Sequence, residues 1–178
     1  MINESTVRPK PQNNNAKIAF LVTMLLFLLS TVGYILADKY KGIIGLVAIC
    51  FLTTSILFYT KYIAPVFSYD IMLDSEGIPL FVVRQVVGKR QATLARIEIA
   101  DIRDARIETR EERKNHKTPG GVLKYNYGPT LNPPMACRIF LKSRYENAEI
   151  IIEASEEYKD MLLSYAKIAR EMRIEDEE

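Results

Sequence analysis

The side chains best suited to chemistry are few and stand apart in the chain. The single histidine, His116, lies in the charged run Glu111 to Lys117, and no cysteine or carboxylate cluster accompanies it at metal-ligand spacing. Cys137 has no histidine partner by sequence and is predicted to lie on a core strand. Carboxylates placed as Asp101 and Asp104 are common on solvated strands. These residues therefore predict no metal site and no pair of nucleophile and base.

Sequence motifs of enzymes are missing as well. The chain contains no GxSxG, no phosphate-binding glycine loop and no HExxH. We therefore expect a protein that is not an enzyme and that uses no catalytic residue, cofactor or metal. An unrecognised membrane enzyme is the least favoured alternative. We expect no nucleic-acid partner.

Residues suited to binding are easier to find. From Arg84 to Lys124 the chain has eleven basic residues against six acidic ones, whereas Glu146 to Glu178 has eleven acidic against four basic. One side of the domain is therefore expected to be positive, and each Lys or Arg close to anionic headgroups is worth about 1 kcal/mol. The slightly favoured alternative is that interleaved carboxylates neutralise these charges locally. The candidate contacts for lipid or a partner are Lys89, Arg90, Arg96, Lys124, Tyr125 and Tyr127.

A long segment from Arg113 to Pro134 is the unusual feature of the sequence. Segments above about 12 to 15 residues without structure of their own are commonly functional or disordered. If the segment is extended, Tyr125 and Tyr127 point the same way and can bind a headgroup or a peptide. The favoured alternative is that the two rings pack the segment onto the sheet and cover Phe140 and Ile151.

Two apolar runs near the N-terminus set the architecture. Ile18 to Ala37 and Gly42 to Thr60 are separated only by Asp38 to Lys41, and a membrane-spanning helix needs about 20 apolar residues. Neither run contains a charged side chain, so a transporter or channel is not expected. The first run exceeds the roughly 7 to 15 residues of a signal-peptide core, which favours a retained anchor. We predict a two-helix transmembrane hairpin over residues 17–64.

Charges near the ends of the runs predict the orientation. Arg8, Lys10 and Lys17 precede the first run and Lys61 follows the second, against two lysines in the turn. Under the positive-inside rule both termini and the soluble domain are cytoplasmic, in a multi-pass protein of the cell (plasma) membrane. Residues 1–16 are predicted to be a disordered tail, and residues 65–178 to form one cytoplasmic domain.

The domain is predicted to consist of β-strands joined by tight turns. Gly77 can supply the positive φ of one turn, and Gly88 to Arg90 forms the next. In the last of the four strands before the long segment, Glu108 is predicted to lie on the polar face. The four strands are Tyr69 to Asp74, Pro79 to Val87, Ala92 to Ile99 and Ile102 to Thr109.

A later hairpin has the clearest pairing pattern. With Arg144 to Asn147 as its turn, Ile139 lies opposite Ile152 and Leu141 opposite Ile150, and cations lie opposite anions. A slip of one residue would reverse the faces, so the pattern specifies which side is buried.

The period changes after Ala154. Apolar residues recur at intervals of three and four residues, which predicts an amphipathic helix packed against the sheet, with Ser155 as its N-cap. Hairpins closed by one C-terminal helix give an α+β roll or a partly open barrel. The predicted apolar stripe is Tyr158, Met161, Leu162, Tyr165, Ile168, Ala169 and Met172.

The order of elements resembles that of bacterial pleckstrin-homology-like (PH-like) domains, which often follow one or two transmembrane helices. The resemblance covers Phe67 to Met172 and implies a mainly antiparallel β roll or partly open barrel with a C-terminal amphipathic helix. It implies a membrane-associated binding or scaffolding module and supplies no catalytic residues. The long segment after the fourth strand is a departure. The resemblance is carried by Tyr69-Asp70-Ile71-Met72-Leu73 before Ser75-Glu76-Gly77-Ile78, by Ile97-Glu98-Ile99-Ala100-Asp101-Ile102, and by Ile150-Ile151-Ile152-Glu153-Ala154.

Two binding functions are consistent with these patterns. We favour a membrane-anchored scaffold that binds a membrane or cytoplasmic protein, because a domain already held by two helices gains little from lipid affinity as a means of recruitment. A sheet edge that accepts a partner strand is its natural mechanism. The alternative is a module that senses the headgroups of anionic phospholipids.

Overall fold

The structure is a computed structural model that describes residues 4–9, 14–37, 39–142 and 147–176. The chain divides into two compact units, a helical unit (Pro11–Pro65) and a β domain (Met1–Lys10 with Val66–Glu178). The helices are α1 (Asn14–Leu36), α2 (Lys41–Phe58), α3 (Arg110–Asn115) and α4 (Glu156–Asp176). The strands are β1 (Ser5–Val7), β2 (Pro65–Leu73), β3 (Pro79–Val87), β4 (Arg90–Glu98), β5 (Ile102–Thr109), β6 (Leu123–Asn126), β7 (Met135–Lys142) and β8 (Asn147–Ile152).

The two apolar runs form the long helices that their composition predicts. Asn14–Leu36 and Lys41–Ile63 each have 23 residues, with mean hydropathies of 2.3 and 2.2. The last five residues of the second, Tyr59–Ile63, form a π-helical turn. Hydroxyl groups bond the helix's own backbone, as when Thr31 donates to the Phe27 carbonyl at 2.9 Å. Both helices are long and apolar enough to cross a membrane.

Small residues bring α1 and α2 together within the helical unit. Ser55 is 1% exposed and donates a hydrogen bond to the Thr23 hydroxyl at 2.8 Å. A Cβ added to Gly45 would lie 3.4 Å from the Tyr34 ring, an ordinary van der Waals contact, so the helices approach closely here without requiring a glycine. Interhelical packing of small residues and shared hydroxyl hydrogen bonds are typical of helix pairs in membranes.

The first sheet has the strand order β1-β2-β3-β4. Tyr69, Phe81 and Val83 on its inner face are fully buried. Gly77 has a φ of 82° in the β2–β3 turn, and Gly88 has a φ of 60° in the β3–β4 turn. Gly77 therefore supplies the left-handed backbone that the sequence predicts for its turn, and Gly88 also adopts it in the second predicted turn.

The prediction of a disordered tail over residues 1–16 is wrong where the structure describes it. Ser5–Val7 forms strand β1, antiparallel to β2 with Val7 opposite Tyr69. Helix α1 already begins at Asn14. The physical reason is that the outer edge of β2 offers unpaired backbone groups, and Ser-Thr-Val is short but compatible with a strand. Residues 1–3 and 10–13 of the predicted tail lie outside the described residues.

The second sheet has the strand order β5-β7-β8-β6. Strand β7 is antiparallel to β5 and β8, while β6 runs parallel to β8. Over the described residues the two sheets do not close into a barrel. The fold is therefore α+β and mainly antiparallel, with a short parallel pair that the sequence analysis does not predict.

The register of the β7–β8 hairpin differs from the predicted one by two residues. Ile139 lies opposite Ile150 and Leu141 opposite Ala148, where the sequence pattern puts Ile152 and Ile150. A shift of two residues keeps every side chain on its predicted face, so the apolar pattern alone does not exclude it. Asn147 belongs to β8, and the other residues of the predicted turn lie outside the described part of the chain.

Helix α4 closes the core of the β domain. Tyr158, Leu162 and Ala169 are buried in it, as the predicted stripe requires. Tyr165 is only partly buried, and Ala166, which the stripe leaves out, is fully buried instead. The Ser155 hydroxyl accepts the Tyr158 N–H at 3.3 Å, which is the predicted N-cap.

The long segment after β5 contains regular structure. Thr109 and Glu112 form a reciprocal capping box at the start of α3, and strand β6 follows. Arg113 donates to the Glu108 carbonyl at 3.2 Å and also to the Pro133 carbonyl. The segment is therefore tied to the sheet near both of its ends.

Candidate binding cleft

An open cleft of about 470 Å³ lies between the two sheets of the β domain. One wall is the continuous stretch Leu94 to Glu98 of β4. The opposite wall comes from the second sheet, and no described side chain of α4 lines it. The cleft is thus an opening between the sheets with an apolar floor. The residues of the opposite wall are Tyr125, Tyr127, Leu141, Ala148 and Ile150.

Two tyrosines form an aromatic part of this wall. The rings of Tyr125 and Tyr127 are stacked, with centroids 6.1 Å apart and planes 5° apart. The backbone carbonyl of Tyr127 accepts a hydrogen bond from the Tyr69 hydroxyl at 3.0 Å, and the backbone N–H of Tyr127 donates to the Ile151 carbonyl at 2.9 Å. Burial, and then the neighbouring Tyr125, raise the pKa of Tyr127, so its hydroxyl stays protonated.

The expectation that these rings cover Phe140 and Ile151 is wrong. Tyr125 pairs with Ile150, and both line the cleft on the inner side of the second sheet. Phe140 is instead contacted by His116, whose ring centroid lies 6.2 Å away. The tyrosines are therefore available to the cleft because they alternate with residues of the outer face.

The charged rim of the cleft is unequally neutralised. Glu98 and Asp101 both pair with Arg173 of α4, the latter at 3.1 Å. The Arg96 side chain is 63% exposed, and its ion pair with Asp74 has a separation of 4.0 Å. Glu98 and Asp101 share the single guanidinium of Arg173, so with Asp74 these groups carry three negative charges against two positive ones. The rim is therefore not net positive, and Arg96 is its most weakly paired cation.

The structure brings together three of the six predicted contact residues. Arg96, Tyr125 and Tyr127 line the same cleft. Lys89 and Arg90 lie at the β3–β4 turn, and Arg90 is about 20 Å along β4 from Arg96 at the usual strand rise. Lys124 alternates with Tyr125 and lies opposite Glu149 in the register, on the outer face. The six residues therefore do not form one patch.

A buried charge cluster lies on the outer face of the second sheet, where the sequence predicts a polar, solvated surface. Arg138 of β7 and Glu149 of β8 are each 1% exposed. Arg138 donates to Glu108 at 2.8 Å and to Glu149 at 2.6 Å. The segment after α3 covers them, since His116 lies 3.1 Å and Thr118 3.0 Å from the Glu149 carboxylate.

The pKa values of this cluster follow from competing effects. Burial alone would raise the pKa of Glu149, but hydrogen bonds from His116, Thr118 and Arg138 outweigh it and lower the value. Burial likewise opposes the charged form of Arg138, and its bonds to Glu108 and Glu149 raise its pKa overall. Both groups are therefore charged at neutral pH. Glu149 joins the covering segment to the sheet through His116 and Thr118, and Arg138 balances its charge.

A second cavity of about 450 Å³ lies beside β1. Asp70 in its wall is 4% exposed and pairs with Arg84 at 3.0 Å. The other carboxylate oxygen of Asp70 has no hydrogen-bond partner among the described residues. That oxygen is itself shielded from solvent, so a ligand entering the cavity would not reach it.

The two cysteines lie in different units of the chain, Cys137 in the β domain and Cys50 in the helical unit. Cys137 is fully buried, and burial raises the pKa of its thiol to about 12, so it is protonated at neutral pH. The other cysteine, Cys50, lies in α2. In the described ranges, no group of three or more His, Cys, Asp or Glu side chains is placed to hold a metal ion.

Comparison with protein-family models, with curated proteins and with solved structures finds no match to this chain. Its class therefore rests on its own features. It is an α+β protein with two helices long and apolar enough to cross a membrane, a β domain of two four-stranded sheets and a C-terminal helix.

Proposed function

We propose that the chain is a membrane-anchored, non-enzymatic binding protein that presents a PH-like domain at the cytoplasmic surface of the cell membrane and acts there as a scaffold. The two apolar helices would supply the anchor. The PH-like assignment is supported by the succession of two four-stranded sheets and a C-terminal helix that closes the core. The segment with α3 and β6 is the departure from that pattern.

The cleft between the sheets is the main observation that supports binding of a protein by the domain. Its volume of about 470 Å³ lies in the range of roughly 300 to 1,000 Å³ that is typical of small-molecule sites, so the case for a protein partner rests on its lining residues. Tyrosine and arginine are enriched where proteins bind proteins, and this cleft has two tyrosines and Arg96 around an apolar floor.

Photo-crosslinking from the cleft tests this proposal. p-Benzoylphenylalanine in place of Leu94, which is 37% exposed on the cleft wall, should give a covalent adduct with a partner protein in cells that naturally produce the chain. p-Benzoylphenylalanine in place of Met135, which is 57% exposed and does not line the cleft, should give little or no adduct. Mass spectrometry of the adduct identifies the partner.

A variant that fills the cleft supplies the control. Ala148→Phe places a ring at a cleft-wall position that is only 7% exposed, so the adduct from position 94 should fall by about tenfold or more. Overpacking there costs about 1 to 3 kcal/mol, and hydrogen exchange of the β7 amides checks that the β domain stays folded. Adducts of equal yield from positions 94 and 135, or an adduct that survives Ala148→Phe, would contradict the proposal. Adducts with lipid alone would favour the headgroup-sensing alternative.

The lipid alternative has weaker support from the arrangement of the basic residues. Lys89 and Arg90 lie at one hairpin turn, whereas Arg96 lies at the cleft and Lys124 on another face. Anionic headgroups are bound best by several cations that converge. These four do not converge, so the protein-binding function is the better supported of the two.

The proposed orientation predicts a labelling pattern. In a Cys50→Ala, Cys137→Ala background, Lys39→Cys in the α1–α2 turn should react with a membrane-impermeant maleimide in intact cells. Lys114→Cys in α3 should react only after permeabilisation, because we place the β domain in the cytoplasm. The opposite pattern would reverse the topology, and labelling of both sites in intact cells would contradict the anchor.

A further inference from the structure

We infer that the partner enters the cleft as an extended strand that pairs with the free edge of β4 and carries an acidic side chain against Arg96. This inference rests on the proposed function and names the chemistry of the partner. It follows from the position of β4 in its sheet, from the path of that strand along the cleft and from the charges at the rim.

Strand β4 is the last strand of the first sheet. It pairs with β3, and in the part of the chain that the structure describes no strand lies along its other side. In a nine-residue edge strand, alternate residues direct their N–H and C=O groups away from the neighbouring strand. Such an edge is a template for the addition of another strand, and peptide-binding domains use it in this way.

The free edge of β4 follows the cleft. Leu94 to Glu98 line it as one continuous stretch, which spans about 16 Å at the usual rise per residue. The register shifts once, so that Val83 pairs with Ala95 and Arg84 with Thr93, which leaves Leu94 as the extra residue of a bulge. Beyond this bulge the four residues Ala95 to Glu98 pair regularly with β3, and a partner of about four residues can pair along their free edge.

The side-chain pattern of the partner follows from strand geometry and the cleft lining. Successive side chains of an added strand point to opposite sides, so every second one faces the cleft. The floor there is apolar, with Ile97, Leu141 and Ile150, and the stacked tyrosines flank it. The partner is therefore an extended segment with aliphatic or aromatic residues at alternate positions.

An acidic side chain on the partner follows from the weakly paired Arg96, not from the charge of the whole rim. Glu98 and Asp101 are paired with Arg173, while Arg96 is largely exposed and lies 4.0 Å from its nearest carboxylate, Asp74. A carboxylate on the added strand that faces Arg96 can pair with this exposed guanidinium, which Asp74 holds only at 4.0 Å. We therefore assign at least one Asp or Glu to the segment.

Selection from a displayed library tests the inference with the full-length chain in nanodiscs. Random twelve-residue peptides selected on this protein should alternate apolar and polar residues and be enriched in Asp or Glu. Arg96→Glu should reverse the preference towards Lys or Arg and weaken the best original peptide about five- to tenfold. Arg106→Glu, at an exposed arginine of the second sheet, is the matched control and should change neither.

Backbone pairing is tested separately with the best selected peptide. N-methylation of alternate residues removes the donors that face β4 and should weaken binding at least tenfold, while N-methylation in the other frame should have a smaller effect. Selected peptides with a helical apolar period, equal effects of both frames, or no response to Arg96→Glu would overturn the inference. If no peptide is selected but the Leu94 adduct forms, the strand mode fails and the proposed function stands; if neither occurs, both fail.

Discussion

Replacement of Arg138 by Leu should lower the free energy of unfolding of the β domain by about 3 to 5 kcal/mol. The guanidinium is 1% exposed and contacts two buried carboxylates, on Glu108 and Glu149. Without it, two negative charges face each other in a site that water does not reach. Amide hydrogen exchange of β7 in the full-length protein, in nanodiscs, measures the loss, because these central-strand amides exchange through global opening.

A compensated variant separates the ion pairs from the packing. Changing Glu108, Arg138 and Glu149 together to Leu, Met and Leu removes every charge of the cluster, and most of the stability should return. The pH dependence gives a second check. The pKa of Glu149 lies below its ordinary value of 4.5, so its contribution is complete above pH 4.5 and is lost as the pH falls further. A loss below 1 kcal/mol for Arg138→Leu would mean that water reaches the carboxylates.

The burial of the charge cluster on the outer face of the second sheet could not be predicted from the sequence. Glu108 alternates with apolar residues, and such a face is normally solvated. The cluster is buried because the segment after α3 covers it: His116 and Thr118 contact Glu149, and His116 lies 4.0 Å from Glu108. The sequence does contain one pattern that predicts the start of α3, because Thr109 and Glu112 have the spacing of a capping box. The contacts between α3's end and β8 depend on tertiary structure and have no local pattern.

Local sequence patterns were sufficient to predict those helices and strands that are specified by their own residues. Strands β3 (Pro79–Val87) and β5 (Ile102–Thr109) have the predicted bounds, and the apolar runs form α1 and α2. Strands β1 and β6, of 3 and 4 residues, depend on a pre-existing partner strand. Sequences this short have too few alternating positions to predict a strand.

The candidate contacts illustrate the same limit at the level of function. Composition singled out Arg96 and the two tyrosines, and these three do meet in one cleft. Composition also singled out Lys89 and Lys124, which lie elsewhere because a turn and the alternation of β6 direct them away. Residue type selects groups able to bind, whereas convergence depends on the arrangement of the two sheets.

Truncation of a buried side chain in helix α4 should also strongly lower the stability of the β domain. Leu162→Ala should lower the free energy of unfolding of the β domain by about 2 to 5 kcal/mol, because Leu162 is fully buried in the core that α4 shares with both sheets. Lys167→Ala, at an exposed position of the same helix, is the matched control and should change stability by less than about 0.5 kcal/mol. Ser155→Ala, which removes the N-cap, should cost about 1 kcal/mol. Hydrogen exchange of β2 and β7 amides reports all three variants. If Leu162→Ala were no more destabilising than Lys167→Ala, α4 would not be part of the core, and the cleft would lose the closed scaffold on which its shape depends.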